Sequence, residues 1–327
     1  MENLVRDFTN HLREALAISI TLQTPNFNKE IHNVVFTGLG GSGIGGEIVS
    51  KLVTEKVDVP VVCNHDYTLP NFANENTLVI ASSYSGNTEE TLEALNIALE
   101  KGCECAIVSS GGEITKLAKE KGLTHITIPG GHPPRAAFGY SFVQLFTILN
   151  AYGLISDYFI EDLEEGIEYL DDNEEKIENE AKNIAQKIHG KHLMIYSSLK
   201  NEKIAIRFRQ QINENSKELC CHHALPEMNH NELVGWAGGN EGYTVINFID
   251  EKDHYKTKER FRISKEIISK YTSNIIDIPS INASEIANAL YWIHIGDWIS
   301  VKLADIKNID PVEVDVIGFL KDELAKL

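Results

Sequence analysis

Residues 33–46 read NVVFTGLGGSGIGG, an apolar run that breaks into glycines around Ser42. Gly38, Gly40 and Gly43 match the pattern G-x-G-x-x-G. This pattern is typical of a strand that turns sharply into a helix, where glycines let the backbone approach a ligand and the helix N-terminus attracts an anion. We therefore predict that an α/β fold begins at this stretch, with an anion bound near the turn.

Strand-like runs continue along the chain after this first one. The other predicted strands of the first half, with Val34–Gly38, are Val59–Cys63, Thr77–Ala81, Cys105–Ser109 and His125–Ile128. Those of the second half are Leu193–Ser197, Tyr243–Ile249 and Ile275–Ile278. Helical patterns separate the strands, and this alternation predicts two α/β domains with doubly wound parallel sheets, flavodoxin-like and three-layer αβα, with helical connections. The predicted domains are residues 1–153 and 154–327.

The charge balance and the apolar pattern argue against two kinds of partner. The chain has 30 Lys and Arg against 48 Asp and Glu, a net charge of −18, which disfavours nucleic acid and anionic membranes. The most apolar segment, residues 136–155, is interrupted by polar side chains, so we predict a buried helix there. An N-terminal stretch without an apolar core, and five cysteines without a disulfide pattern, predict a cytoplasmic protein.

The glycine pattern by itself also fits a dinucleotide site. Such a site needs an acidic residue at the end of the second strand, which binds the ribose hydroxyls. The second predicted strand ends at Cys63, and Asp66 lies past the strand end and further along than the expected spacing. A nicotinamide dinucleotide is therefore disfavoured as the ligand.

A second loop, ASSYSGNTEETL at residues 81–92, follows the third predicted strand. Its hydroxyl-bearing residues ahead of the next helix are Ser82, Ser83, Ser85 and Thr88. One interpretation is helix capping, with Asn87 and Glu90 forming a capping box. Four hydroxyls around a glycine exceed what capping needs, and hydroxyls with helix-terminal N–H groups bind a phosphate monoester without a metal. The loop therefore favours a phosphate site.

The GGSG turn at residues 40–43 and the pattern S-x-S-G-x-T-x-E-T at residues 83–91 resemble the sugar isomerase (SIS) domain. With further motifs of the second half, the chain is similar over essentially its whole length to the bifunctional phosphoglucose/phosphomannose isomerase family. The resemblance implies two SIS domains, the first with a phosphosugar cradle and the second with catalytic Glu, His and Lys residues. The implied substrate-binding residues are Gly41, Ser42, Ser83, Ser85 and Thr88.

Two matches concern the proton transfer itself. Arg135 follows the turn PGGHPP and matches the family arginine that stabilises a developing enediolate, although a carbonyl cap or an ion pair would also explain it. Glu214 lies in Asn-Glu-Asn at a predicted helix end, which is usually just solvated. Its match to the family pattern E-N-x-K implies the base that moves a proton between C1 and C2 of the open-chain sugar.

Two further matches concern ring opening. His230 lies in PEMNHNE at residues 226–232, the most specific match in the chain, and a histidine suits acid–base opening of the pyranose ring. In relatives this histidine reaches the partner subunit's active site, so the resemblance implies a homodimer with the active site at the interface. Lys302, on the last long helix, matches a family lysine that assists ring opening or holds the sugar oxygens.

The run Cys220–His223 raises the question of a metal site. Four consecutive residues do not converge easily on one tetrahedral ion, and the spacing C-x-x-C is absent. We therefore predict no metal, and instead buried cysteines in a strand that enters the active-site loop.

The resemblance implies an aldose–ketose isomerase that interconverts glucose 6-phosphate or mannose 6-phosphate with fructose 6-phosphate through a cis-enediolate. It implies no metal and no organic cofactor, because positioning and electrostatics suffice for such a proton transfer. Three alternatives stay open: a non-catalytic SIS-type regulator that binds a sugar phosphate, a dehydrogenase, and an isomerase of another phosphosugar.

Overall fold

The computed structural model describes residues 1–22, 25, 27, 29–324 and 326. The chain forms two compact units. The N-terminal unit comprises Arg6–Asp172 with Ala283–Asn288, and the C-terminal unit comprises Met1–Val5, Asn173–Asn282 and the chain from Ala289 onward. The division falls within the 31-residue helix Tyr158–Ile188, and so lies later than the predicted boundary at residue 153.

A five-stranded parallel sheet forms the centre of the N-terminal unit. Its strands in chain order are β1 Asn33–Thr37, β2 Val61–Asn64, β3 Thr77–Ser82, β4 Glu104–Ser109 and β5 Thr124–Thr127. Their spatial order is β2-β1-β3-β4-β5, and every neighbouring pair is parallel. All five predicted strands are confirmed to within two residues at each end.

A series of helices precedes the second sheet along the chain. They are α1 Glu2–Arg6, α2 Phe8–Ser19, α3 Gly40–Leu52, α4 Glu89–Glu100, α5 Gly112–Lys121, α6 Phe138–Ala151 and α7 Tyr158–Ile188. Strand β3 is buried at all six positions because it lies in the middle of the sheet, where parallel strands are covered on both faces. Val35 of β1, Val79 of β3 and Ile107 of β4 belong to one buried apolar cluster.

The apolar segment at residues 136–155 forms helix α6, and its residues from Phe138 to Leu149 are all buried. The predicted buried helix is therefore confirmed. Among the described residues, no helix is both long enough and apolar enough to cross a membrane.

A four-stranded parallel sheet forms the centre of the C-terminal unit. Its strands are β6 His192–Ser198, β7 Cys221–Leu225, β8 Tyr243–Ile249 and β9 Ile275–Pro279, in the spatial order β7-β6-β8-β9. The remaining helices are α8 Glu202–Ser216, α9 Glu232–Gly235, α10 Tyr255–Ile268, α11 Glu285–Lys307 and α12 Asp315–Leu324. The prediction of two parallel-sheet α/β domains is confirmed.

Strand β7 confirms the strand expected at the Cys/His run, but one part of that prediction is wrong. Cys221 is exposed and Cys220 is only partly buried, whereas both were expected to be buried. The reason is the strand order, because β7 lies at the edge of the sheet and is covered less completely than a central strand.

Candidate active site

The glycine turn and the hydroxyl loop meet at the carboxyl ends of two adjacent strands. In the order β2-β1-β3-β4-β5, the strand order reverses between β1 and β3, and ligands of such sheets bind in the crevice at that point. The glycines allow close packing there: a Cβ at Gly38 would lie 2.6 Å from the carbonyl oxygen of Ser82, and one at Gly43 would lie 2.5 Å from that of Gly38. The turn therefore has no room for side chains at these two positions.

The hydroxyls of the second loop do not cap the helix that follows. Thr88 is the N-cap residue of α4, yet its side chain makes no capping hydrogen bond, and its Oγ1 lies 3.0 Å from Oγ of Ser83. Asn87 Oδ1 accepts a hydrogen bond from the backbone N–H of Glu113 at 3.0 Å, at the start of α5. The capping-box interpretation is wrong, because the Asn87 side chain serves a different helix.

Tyr84 joins the hydroxyl loop to the surrounding loops. Its backbone N–H donates to Ser42 Oγ at 3.1 Å, and its carbonyl accepts from Ser110 Oγ at 2.6 Å. Its phenolic oxygen accepts from the backbone N–H of His132 at 3.0 Å, and burial raises the pKa of this phenol. The sequence interpretation did not include Tyr84, although its position between Ser83 and Ser85 of the motif is the available signal.

The positive end of α3 is the stronger anion attractor of this crevice. No side chain caps α3 and its first turn contains no acidic residue, whereas Glu89 and Glu90 occupy the first turn of α4 and offset its dipole. The backbone of Arg135 adjoins the turn, since a Cβ at Gly41 would lie 3.5 Å from the Arg135 Cα. Arg135 itself is buried.

The N-terminal unit thus brings most of its predicted site residues together. Those around the crevice are Gly41, Ser42, Ser83, Thr88 and the Arg135 backbone. Ser85 is exposed on the same loop, and its Oγ accepts a hydrogen bond from the backbone N–H of Asn87 at 3.3 Å.

The end of β2 differs from that of a dinucleotide site. The strand ends at Asn64, and His65 places its Nδ1 2.7 Å from the carbonyl oxygen of Gly38 and its Nε2 3.0 Å from Glu47 Oε1. Asp66 Oδ1 accepts from the backbone N–H of Tyr67 at 2.7 Å. The carboxylate of Asp66, the first acidic residue after the strand, is therefore hydrogen-bonded to the backbone of its own turn.

Glu214 lies in the last turn of α8, which a buried polar network holds against α11. Arg207 Nη2 donates to Asp297 Oδ2 at 2.7 Å, and Gln211 Nε2 donates to Asp297 Oδ1 at 2.6 Å. All three side chains are buried, and removing one partner of such a pair costs about 3–5 kcal/mol. Sequence reasoning missed this network, because its partners are far apart in the chain.

The two residues that follow Glu214 are hydrogen-bonded to helix α11. Asn215 Nδ2 donates to Ser300 Oγ at 2.9 Å, and Ser216 Oγ donates to the Ser300 carbonyl at 2.6 Å. Glu214, between the fixed helix turn and these contacts, is partly buried. A carboxylate carried on a rigid element is suited to a positioned proton transfer.

The motif PEMNHNE presents His230 to solvent. The other members of the motif hold the turn: Asn229 Nδ2 donates to Ser264 Oγ at 2.8 Å, and Glu232 accepts from Tyr196 Oη at 2.5 Å. Glu232 Oε2 also lies 2.8 Å from His223 Nδ1. His230 ends the 3-10 turn Glu227–His230 and is exposed.

Glu214 and His230 lie at opposite ends of the strands of the C-terminal sheet. Helix α8 runs from the end of β6 to the start of β7, so its last turn lies near the amino ends of the strands. His230 follows the end of β7, near the carboxyl ends of the strands, and the five residues of β7 alone span roughly 16 Å. The C-terminal unit does not bring these two predicted residues together.

Lys302 is held by carboxylates. Its ammonium makes an ion pair with Glu2 and a second one with Glu178 at 2.8 Å, and it lies 4.8 Å from the centre of the Trp298 ring. Burial lowers the pKa of Lys302, but the hydrogen bonds to Glu178 and Glu2 outweigh burial and leave the pKa raised. Lys302 lies two positions after Ser300 on the helix, about 200° further round, so it faces away from the α8 contacts.

The Cys/His run does not form a cluster of metal ligands. Within the described ranges, no group of three or more His, Cys, Asp and Glu side chains is arranged to hold a metal ion. Burial raises the pKa of the Cys220 thiol to about 12, so this group is not a ready thiolate ligand.

The fold and the crevice define a two-domain α/β protein with a site suited to a phosphate monoester. Its structure is similar to the C-terminal domain of glucosamine-fructose-6-phosphate aminotransferase from Francisella tularensis, with a TM-score of 0.74 and 15% identity over 95% of this chain and 98% of that one. At this identity the likeness concerns the fold alone.

Sequence comparison identifies the family. Residues 177–324 match the bacterial phospho-glucose isomerase C-terminal SIS domain. A bifunctional phosphoglucose/phosphomannose isomerase of Caldicellulosiruptor bescii is 37% identical over 99% of this chain and 98% of its own. The chain belongs to the bifunctional phosphoglucose/phosphomannose isomerase family. A D-glucosamine-6-phosphate 4-epimerase of Sulfolobus acidocaldarius is also similar, with 32% identity over 91% of each chain.

Proposed function

We propose that this protein is an aldose–ketose isomerase that interconverts glucose 6-phosphate and mannose 6-phosphate with fructose 6-phosphate. The observation that carries the proposal is the hydroxyl pair of Ser83 and Thr88, which caps no helix and stands at the strand switch point beside the start of α3. Hydroxyl donors and a helix N-terminus are the groups that bind a phosphate monoester. Family membership supports the reaction.

The proposed reaction needs one base and one stabilising charge. Glu214 would take a proton from C2 of the open-chain aldose and return it to C1, and Arg135 would oppose the charge of the cis-enediolate. His230 would open the ring before this step. Neither metal nor organic cofactor has a part in the proposal. The ring-opening role of Lys302 stays a prediction, and its ion pairs with Glu2 and Glu178 weaken it.

The positions of Glu214 and His230 support a homodimer with shared active sites. A general base or acid must lie within roughly 3 Å of the atom it serves, and both residues would act on one sugar. Since they lie at opposite ends of the strands of one sheet, His230 would come from a second copy of the chain. The cytoplasmic location remains a prediction.

The direct test is an isomerase assay with the whole protein. Fructose 6-phosphate is supplied with EDTA, and both glucose 6-phosphate and mannose 6-phosphate are measured. We expect both aldoses to form. An absence of turnover would overturn the isomerase proposal and leave the phosphosugar-binding regulator, which would still bind the substrate. Activity that EDTA abolishes and zinc restores would overturn the metal-independent mechanism.

The similarity to the epimerase from Sulfolobus acidocaldarius supports a second candidate. An epimerase of that kind would invert C4 of an amino-sugar phosphate and leave the positions of the carbonyl oxygen and C1 unchanged. The two candidates are separated by incubation with glucosamine 6-phosphate and with fructose 6-phosphate in parallel. Conversion of the amino sugar alone would favour the epimerase.

A further inference from the structure

The residue that ends helix α8 has an unusual backbone conformation. Lys217 is the C-cap of α8 and has a φ angle of +49°. Among the described residues, Asn308 is the other non-glycine residue with a positive φ. Helices frequently end in this left-handed conformation, but glycine is the usual residue there because a Cβ disfavours it. A lysine at this position calls for a compensating contact.

The side chain of Lys217 supplies such contacts. Its ammonium donates to the carbonyl oxygens of Glu214 at 2.8 Å, Asp310 at 2.9 Å and Glu313 at 2.7 Å. An ammonium has three N–H donors, so these bonds use all of them. One accepting carbonyl belongs to the last turn of α8, and the other two belong to the segment between α11 and α12.

These contacts exceed what a helix cap requires. A cap needs a donor for the free carbonyls of the last turn, and a cation there also suits the negative end of the helix dipole. The bond to Glu214 meets that need. The bonds to Asp310 and Glu313 join α8 to a segment more than ninety residues away in sequence. Lys307 reinforces this junction, since its ammonium donates to the Lys217 carbonyl at 3.4 Å.

We propose that Lys217 is a positioning residue for Glu214. Its ammonium connects the backbone of Glu214 to residues 310–313 by hydrogen bonds. These bonds would fix the position of the Glu214 carboxylate relative to the bound sugar. The role rests on the proposed function, in which Glu214 moves the proton. Because a displacement of about 1 Å at a reacting group can cost 10²-fold in rate, a contact to its own backbone is of direct consequence.

The test compares substitutions that separate the ammonium from the backbone conformation. Lys217→Met keeps the Cβ and removes the three donors, whereas Lys217→Gly removes the donors and relieves the backbone. We expect both variants to lower kcat by about 10- to 100-fold with KM within about twofold, because the phosphate cradle lies on other elements. Lys217→Arg retains donors and should recover part of the loss.

Asn308→Gly is the matched control. It relieves the same kind of backbone conformation in the neighbouring segment and removes no contact to Glu214, so its kcat should equal that of the wild type. If Lys217→Gly has wild-type kcat, or if Lys217→Met raises KM without lowering kcat, the positioning role is overturned.

Hydrogen exchange tests the contact independently of catalysis. Loss of the ammonium in Lys217→Met should speed amide exchange in residues 214–218 and 310–315, compared with the wild type and with Asn308→Gly. Unchanged exchange would show that the Lys217 ammonium does not hold these segments together, even if the wild type had no isomerase activity. Wild-type inactivity with faster exchange in the variant would instead overturn the proposed function, and the structural role of the Lys217 contacts would stand.

Discussion

The hydroxyls of Ser83 and Thr88 lie 3.0 Å apart across the turn between β3 and α4, and neither caps the helix that follows. Ser83 Oγ also accepts a hydrogen bond from the backbone N–H of Gly86 at 3.2 Å. The loop therefore holds two hydroxyls in a fixed pair near the start of α3. A phosphate monoester can replace this mutual contact with two stronger, charge-assisted hydrogen bonds.

Removing these hydroxyls should weaken phosphosugar binding. Each bond to a charged phosphate contributes about 1.5–3 kcal/mol, so Ser83→Ala and Thr88→Val should each raise the Kd for fructose 6-phosphate by about 10- to 100-fold. Titration calorimetry measures this directly. Thr54→Val, which removes an exposed hydroxyl at the end of α3, serves as the control. Wild-type affinity in both loop variants would contradict the cradle.

Glu214→Gln should abolish isomerisation and retain binding. The amide keeps the size of the side chain but cannot accept the proton, and loss of a general base costs about 10²–10⁴-fold in kcat. The Kd for fructose 6-phosphate should stay within about threefold of the wild type. Substantial activity in this variant would mean that another residue is the base.

Mixing two inactive variants tests the shared active site. Glu214→Gln and His230→Ala each spoil both sites of a homodimer, but a mixed dimer has one site with both native residues. Subunit exchange at equal amounts should therefore restore roughly a quarter of wild-type activity. Mixtures that stay inactive after demonstrated exchange would show that both residues act within one chain.

Lys302→Met separates a structural from a catalytic role of this lysine. Lys302 and Glu178 are mostly shielded from solvent and Glu2 is partly exposed, so loss of the lysine leaves two carboxylates together and should lower the free energy of unfolding by about 1–3 kcal/mol. We expect kcat of the folded variant to remain within about threefold. A large loss of kcat with an unchanged urea midpoint would restore the ring-opening role.

Asp253 should make stability depend on pH. Burial, assisted by the charge of Asp250, raises its pKa to about 6, and its Oδ2 has no hydrogen-bond partner among the described residues. The folded state therefore binds a proton more tightly than the unfolded state, so stability falls as pH rises from about 4 to about 6. Asp253→Asn should gain about 1–2 kcal/mol at pH 7 and nothing at pH 4, as urea unfolding at the two pH values would show. An equal gain at both values would contradict this origin.

The strands and the glycine turn were predictable from short stretches of sequence. Apolar runs such as residues 77–81 and the glycine turn at 38–43 have local causes, namely the alternation of strand and helix patterns and the conformations that glycine permits. The hydroxyl loop was predictable for the same reason. Its hydrogen-bond partners were not predictable, because Asn87 bonds to the start of α5 and Tyr84 bonds to Ser42 in α3 and to the loops at Ser110 and His132.

Local patterns thus determine where strands and turns form in this chain, since the spacing of apolar residues and the preference for a turn are set within short windows of sequence. They do not determine contacts that depend on strand order and helix placement. The order β7-β6-β8-β9 leaves Cys221 exposed, and the course of the chain through β7 sets Glu214 and His230 at opposite ends of that strand. The packing of the C-terminal unit likewise places two carboxylates beside Lys302 and the carbonyls of Asp310 and Glu313 beside Lys217, because these partners come together only when distant segments fold against each other.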